Sequence, residues 1–246
     1  MTAGTQQSAF LAQVVRAYTD SIPSQTSLDF SKYRKLSKEA VRIDEEPFWV
    51  LQSLSRSCDL ARQWTEKLSG VARLSSLERD RLFFGRILDL VVLRTALRMQ
   101  EGVERIVLCN SLVFHRSQMA YVLTGGILQQ VQELAGKLKQ PDHAASAMLS
   151  ALCLLQDASA TSTVVSQQTS TTTDLFAKLK EILKEYCQQL QVQSPHAVNF
   201  HAQLVEILAQ TQQIAAQLKQ RLKQCNVYNN SVYPLCIPTN SMLDLL

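Results

Sequence analysis

The chain's four histidines and six cysteines are the residues best suited to hold a metal or to act as nucleophiles. Their spacing speaks against both. His196 and His201 are five positions apart, which does not put them on one helical face, and His115 and His143 are isolated. Cys58, Cys109, Cys153, Cys187, Cys225 and Cys236 form no C-x-x-C pair. Most of them sit inside apolar runs, so they are expected to be reduced, buried thiols of a cytosolic or nuclear protein. Glu101 and Glu104 are close enough to suggest a carboxylate pair, but acids so near in sequence more often belong to a solvated turn. The sequence has no Gly-rich phosphate loop, no G-x-S-x-G and no HExxH. We therefore expect no enzyme, no catalytic residue and no metal ligand. Ligands gathered only by the fold stay open at this stage.

What the chain does have is material for a core. It is 246 residues long, 46% hydrophobic and 19% charged, which fits one large globular domain or two small ones. Its formal charge of +4 is spread without a dense Lys/Arg cluster. No nucleic-acid contact by this piece is expected, because tracking a phosphate backbone needs such a cluster. The N-terminus lacks the basic-then-apolar run of a signal peptide. The longest apolar stretch, Leu82 to Leu97, carries Arg86, Asp89 and Arg94. It is too charged to span a bilayer, so no membrane partner is expected and the stretch reads as a buried helix.

Periodicity makes most of the sequence helical. Phe10, Leu11, Val14, Val15 and Tyr18 form one stripe. Leu51, Leu54, Cys58, Ala61, Thr65 and Leu68 form another, predicting a long helix that starts near Pro47 and is ended by Gly70. From Leu77 to Met99 the apolar residues go nearly all the way round, which predicts a helix with neighbours on both flanks, the middle layer of a stack. Arg105–Cys109 and Leu112–His115 are β-rich runs joined by Asn110-Ser111 and predict a small hairpin. Further helices are expected around Ile127–Leu138, over Ala144–Leu155, and from Leu175 to Leu190 with Thr172 or Thr173 as cap. The Ser/Thr/Gln-rich stretch 156–173 reads as a mobile surface loop. A final helix is expected over Val198–Cys225, broken by the turn-rich Tyr228-Asn-Asn-Ser-Val-Tyr-Pro234. The whole is read as one domain, 1–246, with a short helix over 239–246.

The segment Trp64-Thr-Glu-Lys-Leu-Ser-Gly-Val-Ala-Arg-Leu-Ser-Ser-Leu-Glu-Arg-Asp80, followed by Leu82-Phe-Phe, resembles the signature of nuclear receptor ligand-binding domains. Val14-Val-Arg-Ala-Tyr-Thr-Asp-Ser-Ile-Pro23 and Leu28-Asp-Phe-Ser-Lys-Tyr33 are similar to the first helix and its extension in the NGFI-B/Nurr-type orphan receptors. Leu90-Val-Val-Leu-Arg-Thr-Ala-Leu-Arg98 and Leu108-Cys-Asn-Ser-Leu-Val-Phe-His-Arg116 are similar to their buried helix and hairpin. The resemblance implies an all-α fold, a three-layer antiparallel helical sandwich with one small β-hairpin. It implies the ligand-binding and regulatory domain of an orphan nuclear receptor transcription factor. Such a domain acts in the nucleus, recruits transcriptional coregulators, and forms homodimers or nuclear receptor heterodimers. Zinc is then expected only in a separate DNA-binding domain, and no cofactor in this one.

Several positions depart from the family pattern. Glu66 stands where most receptors carry the lysine that grips an L-x-x-L-L coregulator helix, and Phe84 stands at a second groove lysine. Met242, Leu243, Asp244, Leu245 and Leu246 align with the activation helix, and the segment also reads M-x-x-L-L. At the aromatic positions that fill the interior of NGFI-B-type receptors stand Leu123 and Gly126. That substitution predicts an apolar pocket lined by Leu54, Cys58, Ala61, Leu88, Val91, Val92, Ile106, Met119, Val122, Leu123 and Gly126, suited to a lipid or similar apolar molecule. The alternative is a ligand-independent helical scaffold whose core has repacked solid. Gln210, Gln213, Gln217 and Gln220 mark a dimer face on the last helix.

Overall fold

Two stretches of this chain are so evenly apolar that a helix formed by either must be enclosed, and the fold is arranged around them. In the computed structural model, which describes residues 3–35, 46–99, 104–156 and 169–232, both are central. Helix α4 (Ser76–Arg98) is buried without a break from Arg86 to Leu97. Helix α6 (His143–Leu155) is buried without a break from Ala145 to Leu155. Around them run α1 (Ala3–Thr19), α2 (Glu46–Glu66), the one-turn α3 (Ser69–Ala72), α5 (Arg116–Leu138), α7 (Thr169–Gln193) and α8 (Phe200–Val232). Helix α1 packs on α6 and α2 on α4, while α5 and α8 pack together against α4, and α7 lies on α6 and α8. The result is an all-α, three-layer antiparallel sandwich. Among the described residues, none of its helices is long and apolar enough to cross a membrane.

The predicted hairpin is present. Strands β1 (Arg105–Val107) and β2 (Val113–His115) pair antiparallel, with Ile106 opposite Phe114. A lone hairpin is marginal; this one is secured by burial of Ile106 and Phe114 in the core and by the segment after α1. There Asp29 N–H donates to Ser111 O at 3.0 Å, Val113 N–H donates to Asp29 O at 2.9 Å, and Gln118 Nε2 donates to Lys32 O at 2.7 Å.

Helix α4 begins with a reciprocal cap. Glu78 N–H donates to Ser75 Oγ at 3.3 Å, and Ser75 N–H donates to Glu78 Oε2 at 2.8 Å. The hydrogen bonds from Ser75 hold the Glu78 carboxyl below its usual value of 4.5. A carboxylate depressed on folding stabilises the native state above its unfolded pKa, and that contribution is lost as pH falls through the folded value. Glu78→Gln is therefore expected to be less stable than the unaltered protein at pH 7, with the difference shrinking as pH falls below ~4.5. Urea midpoints of both proteins as a function of pH check this.

Four boundaries differ from the sequence expectation. The helix expected to run to Gly70 stops at Glu66, and Gly70 lies inside α3. Its role is close approach: a Cβ there would lie 2.6 Å from Leu175 Cδ1 of α7. Helix α5 begins directly after β2 and carries a kink at Thr124 (φ 45°, ψ 155°). Helix α7 starts at Thr169, so Thr172 and Thr173, expected as caps or loop, fall inside it. Helix α8 continues through the expected break to Val232. The rest of the expected loop, residues 157–168, and the tail beyond 232 lie outside the described residues.

Candidate functional site

The end of α2, the turn at Leu68, α3 and the capped start of α4 fold back on one another and leave a small cleft of about 130 Å³. Its walls include Arg62, Thr65, Glu66, Arg79, Asp80 and Phe83. Glu66, which stands at the position of the family's clamp lysine, is met by Arg62 one turn earlier: Arg62 Nε lies 3.4 Å from Glu66 Oε1. The same guanidinium reaches Asp80 Oδ1 at 3.5 Å and rests 5.4 Å from the Phe83 ring. The pairs are solvent-exposed, so they set the pattern of charge more than they stabilise the fold. Phe84, expected at the groove, is half-buried and meets Phe83 edge-on, centroids 5.8 Å apart. Phe83 is the ring that lines the cleft. Leu77, in the first turn of α4, is 60% exposed. Met242, Leu243, Asp244, Leu245 and Leu246 lie outside the described residues.

The residues expected to line a pocket are drawn into a single core. Leu54, Cys58, Ala61, Leu88, Val91, Val92, Ile106, Met119 and Leu123 are all buried there. The side chain of Val122 is outside the described residues. Gly126 departs from the expectation. It is exposed, and a Cβ on it would meet nothing within 4 Å, so its missing side chain does not enlarge an enclosed space. It follows the kink at Thr124, which re-aims this turn of α5.

The glutamines of α8 divide in two. Gln210 accepts from Lys137 Nζ at 2.9 Å, and Gln217 exchanges amide hydrogen bonds with Gln130 at 3.0 and 3.2 Å, both across to α5. Gln213 and Gln220 remain exposed.

A group of residues that the sequence reading did not single out lies at the far end of α4. Arg94 is fully buried there, its Nη2 donating to Ser21 Oγ and its guanidinium carbon 4.9 Å from the Tyr18 ring and 5.1 Å from the Trp64 ring. Burial holds its pKa below the ordinary arginine value. One turn on, Arg98 Nε donates to Val107 O at 3.1 Å and Nη2 to Cys109 Sγ at 3.2 Å. Burial raises the Cys109 thiol, but Arg98 and Arg94 outweigh it and the net shift is downward. Cys58 lacks such help, and burial pushes its thiol up. The available signal was Arg94 and Arg98 at i and i+4 inside an otherwise apolar helix.

A hairpin between buried helices, a middle layer enclosed on all sides and a cleft where α2 meets α4 together describe a nuclear receptor ligand-binding-type domain. The chain is 35% identical over 160 residues to nuclear receptor subfamily 4 group A member 1 of Bos taurus, covering 62% of this chain and 26% of that protein. It is 33% identical over 147 residues to group A member 3 of Homo sapiens, covering 58% and 23%. Against group A member 2 of Xenopus tropicalis it is 32% identical over 114 residues, covering 45% and 19%. Over about 60% of its length the chain is thus similar to part of these subfamily 4 receptors. It spans about a quarter of the length of the curated relatives it matches. No protein-family model matches it.

Proposed function

We propose that this chain is the regulatory domain of an orphan nuclear receptor transcription factor, acting in the nucleus through transcriptional coregulators rather than as an enzyme. The observation that carries the reading is the cleft between α2 and α4, where the end of one helix and the start of another leave an apolar wall at Phe83 edged by charge. The similarity to subfamily 4 receptors supports it. Zinc and DNA contact belong, on this reading, to a separate domain of the whole protein. Dimerisation through α8 would use the exposed Gln213 and Gln220, since Gln210 and Gln217 are engaged with α5. Exposure of Gly126 favours a filled interior over a lipid pocket.

The cleft is a poor match for an ordinary L-x-x-L-L helix. The C-terminal end of such a helix carries partial negative charge and wants a cation. The residue offered here is Glu66, whose ion-pair partner among the described residues, Arg62, is shared with Asp80. Titration of an L-x-x-L-L peptide is expected to give an affinity weaker than micromolar, and Glu66→Lys is expected to tighten it several-fold. A micromolar affinity in the unaltered chain overturns the charge argument. The broader reading is tested separately by fusing the chain to a foreign DNA-binding domain. Reporter output unchanged by the fusion, in activation and repression formats alike, overturns it.

A further inference from the structure

Cys109 lies where β1 runs into the turn of the hairpin, and its side chain is held from two sides. Arg98 Nη2, from α4, donates to its sulfur at 3.2 Å. Its backbone N–H donates to Ser57 Oγ of α2 at 3.2 Å, next to Cys58. Cys109 is 4% exposed, and the two residues that follow it, Asn110 and Ser111, are only partly buried. The sulfur is therefore nearly enclosed, one residue from the surface of the turn.

The polar groups around this sulfur are left over from the rest of the fold. Among the described residues, Arg98 Nη1, Arg94 Nε and Nη1, and Asn110 Oδ1 are buried without a hydrogen-bond partner. The ion pairs of the described residues include neither arginine. A buried cation is unfavourable unless an anion meets it, and the group that meets Arg98 here is the Cys109 sulfur. Burial pushes that thiol up, but the charges of Arg98 and Arg94, with hydrogen bonds from Arg98 and Ser57, bring it below its ordinary value. Cys58 is the opposite case: burial and then the charge of Cys109 push its thiol up. Of two neighbouring thiols, one is held ready to ionise and the other is not.

We propose that Cys109 is an oxidation-sensing site, at which hydrogen peroxide converts the sulfur to a sulfenate that Arg98 and Arg94 retain. The thiolate sulfur attacks one peroxide oxygen, so the S–O bond forms as the O–O bond breaks. Sulfur gives up two electrons to the peroxide. The departing hydroxide takes the proton of the new sulfenic acid and leaves as water. Peroxide is close to water in size, which suits a sulfur so nearly enclosed. The product keeps its negative charge and gains an acceptor oxygen, for which the idle N–H groups of the arginines are charged donors. Enclosure also keeps bulky thiols from reducing it at once. The site is separate from the α2–α4 cleft and does not depend on coregulator binding.

The test exposes the full chain to hydrogen peroxide at pH 7 and stops the reaction with catalase. The chain is then unfolded in urea containing dimedone, so that trapping of sulfenate does not require the probe to enter the folded site. Peptide mass spectrometry reads the adduct at each cysteine over time. Cys109 is expected to be labelled about tenfold or more faster than the buried Cys58, Cys153 and Cys187, because the thiolate is the reacting form. Dithiothreitol added before the urea is expected to abolish the signal, since a sulfenate is reversible. Arg98→Gln keeps a donor for Val107 O and is expected to slow Cys109 labelling several-fold, moving its rise with pH to higher pH. Arg98→Lys, which keeps the charge, is expected to recover most of the rate. If Arg98 only held the hairpin closed, its loss would open the site and speed the oxidation. Labelling of Cys109 no faster than of the other three, its oxidation only to a disulfide or sulfinate, or unchanged or faster labelling in folded Arg98→Gln overturns the proposal. The comparison among cysteines of the unaltered chain decides the matter even if the variant does not fold.

Discussion

Replacing Trp64 by alanine is expected to lower the free energy of unfolding by about 3–5 kcal/mol, with Trp64→Phe costing roughly 1–2 kcal/mol. Trp64 is 0% exposed, and its ring is one of the two aromatic faces that Arg94 meets. Alanine would leave a cavity the size of an indole and would also remove one of the faces that stand in for a counter-ion. A desolvated cation over an aromatic ring gains on the order of 2 kcal/mol. Phenylalanine keeps a face and most of the volume. It also removes the indole Nε1–H, which is buried without a partner, so part of the lost packing is returned. Urea unfolding of the three proteins at pH 7 checks this, with an unchanged m value showing that the same structure is unfolding. A loss below roughly 1.5 kcal/mol for Trp64→Ala would mean that the pocket collapses around the gap and that Tyr18 alone suffices for Arg94.

The aromatic cluster also shows where sequence reading reached and where it stopped. Period and composition were enough to predict α4 as a middle-layer helix, because a segment apolar on every side admits no other placement. The hairpin was legible for a similar reason: β-branched runs flanking Asn110-Ser111 leave few choices. Boundaries were less legible. Gly70 looked like a helix stop, yet its role is set by Leu175, more than a hundred positions away and invisible to local pattern. Gln217 looked like a surface residue for a partner, and its partner is Gln130 of the same chain. Glu66 was read against a family lysine, whereas its neighbour Arg62 follows from i,i+4 spacing within α2 itself. Of the candidate pocket residues, those in the core were recognisable as apolar positions, but Gly126 was placed by alignment through a kink that no propensity reveals. The buried arginines were passed over because a charged residue in an apolar run first argues against a membrane span. Only tertiary structure says whether such a charge has found a partner.

Asp89→Ala is expected to destabilise the domain by about 3–5 kcal/mol, because it leaves Arg86 in an apolar layer without its carboxylate. Both residues are buried on α4, with Arg86 Nη1 3.0 Å from Asp89 Oδ2. Burial raises the Asp89 carboxyl above its ordinary 3.8, and the hydrogen bond and charge of Arg86 pull it back only in part. A carboxyl raised on folding contributes its full stability below the unfolded pKa, and loses it as pH rises through the folded value. The ionised pair at neutral pH is therefore a burden that each member makes tolerable for the other. This predicts an asymmetry. Either single replacement should be costly, whereas Arg86→Met with Asp89→Leu should lie within about 1 kcal/mol of the original or above it. Asp89→Asn should remove the decline in stability that begins as pH rises past 3.8. A double variant as weak as the single ones would mean that the pair fixes the register of α4 against α6, where Cys153 sits within the field of Asp89. Arg94, two turns further along the same helix, sets the contrast. It has solved the same burial with rings instead of an acid, so it should show no such rescue when a carboxylate is removed anywhere on α4.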